Sequence, residues 1–89
     1  MLCEFSRHHT EFRQLSKGQY WMYARLVLAG KGSILAVLCK HSVSQHLKID
    51  TAKDVESFQV MQWTPEGVQF WPVCEGFQDF VLAWFDKTS

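Results

Sequence analysis

Tyr20–Lys40 reads YWMYARLVLAGKGSILAVLCK, the most apolar stretch of the chain, and whatever it forms must be covered by the rest. Two runs of aromatic, aliphatic and β-branched side chains flank Gly30-Lys31-Gly32-Ser33, where glycine tolerates the positive φ of a tight reversal. The pattern predicts a β-hairpin, with strands Gln19–Ala29 and Ser33–Lys40 turning at Lys31 and Gly32. In that register Leu28 faces Leu35 and Leu26 faces Val37, while Trp21, Tyr23, Val27, Ala36 and Leu38 share the other side, interrupted by Arg25. A ribbon apolar on both faces belongs at the centre of a sheet, under helices or a second subunit.

On the N-terminal side, Phe5, Phe12 and Leu15 have spacings that a helix over Phe5–Lys17 would bring together, with Ser6 or Thr10 as its cap and Gly18 at its end. Downstream, His41–Lys53 is polar enough for a loop, and Asp50 or Thr51 could cap a brief helix through Ser57. Phe58–Trp63 and Val68–Val73 form a second hairpin around Thr64-Pro65-Glu66-Gly67, with Met61 facing Phe70 and Val60 facing Trp71. Pro72 cannot donate to a ladder, which places the last strand at an edge or ends it there. Phe77, Phe80, Val81, Trp84 and Phe85 then recur at helical spacing, with Glu75 ahead of them to suit the positive helix end. The fold expected is a small single α+β domain over residues 1–89. Its mainly antiparallel sheet of about four strands, in two hairpins, is packed by an N-terminal and a C-terminal amphipathic helix.

The chain has 89 residues, of which 47% are hydrophobic and 15% aromatic, more apolar material than one thin core hides. A homodimer is the simplest way to cover the excess. Formal net charge is zero, yet residues 1–48 carry seven cationic and two anionic side chains and residues 49–89 carry two and seven. Such asymmetry suits a basic face that meets an acidic partner or nucleic acid, or a dimer whose ends are self-complementary, if folding preserves it. Cys3, Cys39 and Cys74 are odd in number and irregular in spacing, and MLCEFSRHH has no apolar leader core, so a cytoplasmic protein without a disulfide framework is expected. Tyr20–Cys39 has the length of a membrane span, but Arg25 and Lys31 would each cost roughly 2.5–3.5 kcal/mol near its centre, so no membrane association through a span is expected.

Motifs for chemistry are sparse. Gly30-Lys31-Gly32-Ser33 lacks the earlier glycine and the following helix of a phosphate-binding loop. The cysteines and His8, His9, His41 and His46 show none of the paired spacings of a structural zinc site, so neither metal nor other cofactor is expected. Cys39 and His41 would share one side of a strand, but no orienting carboxylate accompanies them, and enzymatic activity ranks last. Tyr20, Trp21, Tyr23 and Arg25 could form a stacking platform on a sheet, with Arg25, Lys31 and Lys40 as the cations for nucleic acid, which ranks as an unlikely partner at zero net charge. Trp21, Tyr23, Trp63, Phe70, Trp71 and Trp84 are the residue types that dominate interface hot spots, and they are the candidates for a protein interface or an apolar ligand. Val68–Phe85, VQFWPVCEGFQDFVLAWF, resembles the closing strand and helix of a group of bacterial immunity proteins. The final helix must pack on the sheet through its apolar stripe, and a bacterial accessory protein is the setting expected. The function expected is a non-catalytic interaction or regulatory module acting as a homodimer, with a binder of a small apolar ligand or of nucleic acid as the alternative.

Overall fold

A computed structural model describes residues 1–44, 47–50 and 53–88. The elements run β1 (Leu2–Ser6), a 3₁₀ turn (Phe12–Gln14), α1 (Lys17–Gly30), β2 (Ala36–His41), β3 (Val55–Thr64), β4 (Gly67–Phe70) and α2 (Phe77–Thr88). The four strands form one sheet in the order β1-β2-β3-β4. β1 runs parallel to β2, with Cys3 opposite Val37 and Phe5 opposite Cys39, while β2–β3 and β3–β4 are antiparallel. The sheet is therefore mixed, and a helix lies on each of its faces.

The expectation for Tyr20–Lys40 is half corrected. The first run is a helix, because Tyr20, Tyr23, Ala24 and Val27 recur at i, i+3, i+4 and i+7 and put one stripe against the sheet, the last three of them buried. Fourteen residues without a break also exceed an ordinary strand. Ser16 caps the helix, its Oγ accepting from the Gln19 N–H at 3.3 Å. The glycines turn a helix into a strand: Lys31 takes the left-handed conformation at φ 48°, Gly32 follows at φ 99°, and a Cβ on Gly30 would stand 2.6 Å from the Ile34 side chain. The second run does form a central strand with both faces covered, as expected, starting at Ala36.

The N-terminal helix expected over Phe5–Lys17 is corrected as well. Leu2–Ser6 is a strand whose side chains alternate between half-buried and exposed, and the Ser6 hydroxyl accepts from the His8 and His9 N–H groups to turn the chain out of it. What remains is one 3₁₀ turn, closed by Gln14, whose Oε1 accepts from the Thr10 and Glu11 N–H groups. The brief helix through Ser57 is absent: Asp50 and Asp54 close a turn, Val55–Ser57 already belong to β3, and Thr51 lies outside the described residues.

The second hairpin has the expected register, Met61 opposite Phe70 and Thr64 opposite Gly67, and the Trp71 N–H continues it by donating to Val60 O at 2.9 Å. β4 is an edge strand and stops before Pro72. On one face of the sheet Phe12, Leu15, Tyr23, Ala24 and Val27 close over Ala36, Leu38 and Met61. On the other, Phe77 of α2 closes over Leu35, Val37, Cys39, Phe58 and Val60. α2 follows the stripe read from the sequence for Phe77, Phe80, Val81 and Trp84, whereas Phe85 is exposed.

Candidate functional site

Three of the six aromatic candidates meet. Trp63 is the next-to-last residue of β3, Trp71 follows β4, and Trp84 lies two turns into α2, and together they border a cleft of about 320 Å³ at one end of the sheet. Gly32 and Leu35 form its floor beside the α1–β2 turn, and Phe80 and Ala83 form the α2 wall. Each part has a local cause. The hairpin register carries Trp71 alongside Val60 and hence on the same sheet face as Gln62, and the Trp71 indole N–H donates to Gln62 Oε1 at 3.0 Å. That bond satisfies the polar end of Trp71 and leaves its ring as wall. Phe80 stands edge-on to Trp71, with centroids 5.4 Å apart, and leans on Phe58 at 5.0 Å, which fixes the wall to the core. The resulting concavity is apolar, with one amide that is already engaged.

The other three candidates lie elsewhere. Tyr23 is buried under α1, edge-on to Phe12 at 6.1 Å, and its hydroxyl donates to Glu4 Oε2 at 2.6 Å. Burial and the neighbouring Glu4 carboxylate push its pKa up to about 12. Phe70 rests against Phe12 and Tyr20, both at 6.0 Å, on the α1 side. Trp21 points outward from α1 and is 53% exposed. The stacking platform expected on a sheet is corrected by the same finding, since Tyr20, Trp21 and Tyr23 sit on a helix and only Trp21 faces out. The three cations do not gather: Arg25 is on the exposed side of α1, Lys31 caps its end, and Lys40 on β2 stands 3.6 Å from Glu56.

The thiol and imidazole groups are arranged by the sheet. Cys3 and Cys39 share a face of the β1–β2 pair and are joined by a hydrogen bond between their side chains. That bond brings the Cys3 thiol down to about 7 against the opposing effect of burial, and it raises Cys39, which burial raises further. Cys39 is therefore a protonated core thiol at neutral pH. A register shift separates Lys40 from His41, and His41 Nδ1 accepts from the Val43 N–H at 3.1 Å. Among the described residues no three histidine, cysteine or acidic side chains gather as metal ligands, and His46 lies outside them. No described helix is long and apolar enough to cross a membrane.

No protein family, curated protein or solved structure matches the chain. Sequence reasoning picked the tryptophans from residue type alone and missed Gly32, Leu35, Gln62, Phe80 and Ala83 as cleft residues. For Gln62 a signal existed. The register that sets Val60 against Trp71 also sets Gln62 beside it, one alternation along the same face.

Proposed function

We propose that this chain is a non-catalytic protein-interaction module that works through self-association, with the Trp63–Trp71–Trp84 cleft receiving an aromatic side chain of its partner. The observation that carries the reading is the convergence of three indoles from three separate elements on one open concavity whose amide is already hydrogen-bonded. Such a surface gains from desolvation and shape: an inserted aromatic side chain buries on the order of 150–250 Å², worth about 4 kcal/mol before the costs of ordering. Tryptophan is among the residue types enriched at interface hot spots. Three unpaired thiols suit a reducing cytosol.

The test uses capped tryptophan amide as a stand-in for the partner side chain. Titrated into ¹⁵N-labelled protein, it is expected to shift the indole N–H signals of Trp63, Trp71 and Trp84 and to leave Trp21 still, while capped aspartate amide shifts none. Equal shifts with both probes, or none with the aromatic one, would refute the cleft as the recognition site. The apolar lining also favours a second reading, a small apolar ligand in the same cleft. Native mass spectrometry of the purified protein separates the two, because a retained ligand appears as a defined extra mass on a single subunit.

A further inference from the structure

The outward side of α1 carries a composition that the fold does not need. Trp21, Met22, Leu26 and Leu28 lie away from the buried stripe of Tyr23, Ala24 and Val27 and are 39–53% exposed, so four large apolar side chains face solvent within about two turns. Their charged neighbours have one sign. Lys17 and Arg25 stand on the same side, Lys31 follows at the helix end, and no acidic residue occurs from Phe12 to Ile49. Among the described residues none of these three cations makes an ion pair. Lys17 begins the helix, where the dipole favours an acid, so its charge works against the element that carries it. Gly18 adds a second observation. Its φ is outside the left-handed region and a Cβ there would meet nothing within 4 Å, so neither backbone conformation nor packing within the chain calls for a residue that weakens a helix relative to alanine. Its missing side chain opens a shallow hollow of about 490 Å³, lined by Lys17 and Arg25 together with Trp21, Met22 and Leu26.

Chemistry separates the partners that such a face can meet. The same face of a second copy would set Lys17 and Arg25 against like charges. Nucleic acid would use the cations and Trp21 but would leave Met22, Leu26 and Leu28 without a role, because phosphate and base stacking reward charge and rings. A bilayer surface that contains anionic lipid uses every member of the set. Apolar side chains of an interfacial helix sink about 5–10 Å to the boundary of headgroups and acyl chains, a tryptophan settles at that depth, and lysine and arginine reach the headgroup phosphates with their stems along the apolar layer. The flat presentation fits as well, since the buried stripe of α1 is committed to the sheet and one side remains to lie on a plane. We propose that the outward side of α1 docks on an anionic phospholipid surface, with Trp21, Met22, Leu26 and Leu28 entering the interface and Lys17, Arg25 and Lys31 holding the headgroups. This contact is separate from the cleft, which is walled by α2.

Flotation of the full chain with vesicles of phosphatidylcholine and phosphatidylserine, about two to one, tests this. Wild type is expected to float with them, to stay behind with vesicles of phosphatidylcholine alone, and to be released as salt rises. Arg25→Glu, at an exposed helical position, is expected to weaken partitioning about 25-fold, two charge units at about fivefold each. Trp21→Ser, equally exposed, is expected to weaken it about tenfold through lost apolar area. Lys53→Glu makes the same change in net charge away from α1 and is expected to alter partitioning by less than about twofold. A second readout needs no variant: a spin-labelled lipid in bicelles of the same composition is expected to broaden the indole N–H signal of Trp21 before that of Trp71. No flotation, equal partitioning onto neutral vesicles, an effect of Lys53→Glu as large as that of Arg25→Glu, or Trp71 broadened first would each overturn the docking. If a single-stranded oligonucleotide shifts Trp21 while the anionic vesicles do not bind, lipid is overturned and the face belongs to nucleic acid.

Discussion

The two faces of the sheet are closed to different degrees. The α1 face is covered by two elements, a helix and a 3₁₀ turn, and the turn delivers Phe12 into full burial between Tyr23 and Phe70. A polar tie fixes that turn: buried Gln59 accepts from the Phe12 N–H at 2.8 Å and donates to the Trp71 carbonyl at 3.1 Å. The α2 face is covered by one helix, in which Phe77 is buried while Phe80, Val81 and Trp84 are only partly so, and the cleft is the space left over. A second covering element, pinned by a buried amide, is what separates a closed face from one that can receive a guest. The closed core is concentrated under α1 and the open concavity lies beside α2.

That contrast can be broken by mutation. Phe12→Ala is expected to destabilise by about 4 kcal/mol in urea titration, since a fully buried aromatic leaves a cavity that the turn cannot fill. A loss below about 1 kcal/mol would mean that the α1 face is as yielding as the other. Gln59→Leu is expected to cost about 2 kcal/mol by stranding the buried Phe12 N–H, and a neutral result would show that the tie does not close the face. Tyr23→Phe removes a hydrogen bond to a carboxylate and is expected to cost about 1.5 kcal/mol at neutral pH. The same contact makes a pH signature. Tyr23 titrates near 12 when folded against an ordinary 10, so its contribution is complete below pH 10 and is lost as pH rises toward 12. The Tyr23→Phe chain should lack that alkaline loss. Trp84→Ala, at the edge of space that is already open, is expected to cost about 1 kcal/mol while abolishing the response to capped tryptophan amide. A cost equal to that of Phe12→Ala would place Trp84 in the core and erase the difference between the faces.

Where the sequence carried local punctuation, it was legible. Thr64-Pro65-Glu66-Gly67 fixed a turn and with it the register of Met61 and Phe70, and the stripe from Phe77 to Trp84 fixed the docked side of α2. Tyr20–Gly30 misled because Trp21, Met22, Leu26 and Leu28 are apolar on the outward side, which removes the polar contrast from which a helical period is read. Its capping signal was present nonetheless: Ser16 followed three residues later by Gln19 is the start of a helix, and the length of the run pointed the same way. Phe5, Phe12 and Leu15 coincided with helical spacing by accident, since Phe5 stands on a strand and the other two come from the turn and the residue after it. Of the candidate site, residue type identified the tryptophans, but their meeting depended on the path from β4 through Pro72 to α2 and on the position of the α1–β2 turn. No local pattern encodes either.

The parallel alignment of β1 with β2 sets an order of events during folding. β3 and β4 are joined by a two-residue turn and can zip on the microsecond scale, whereas pairing β1 with β2 must close the long segment that holds α1. β1 therefore seats late. Cys39, opposite Phe5 in that last pairing and beneath Phe77 of α2, is a built-in timer, and its thiol escapes a pulse of alkylating reagent only when both the sheet and its α2 face have closed.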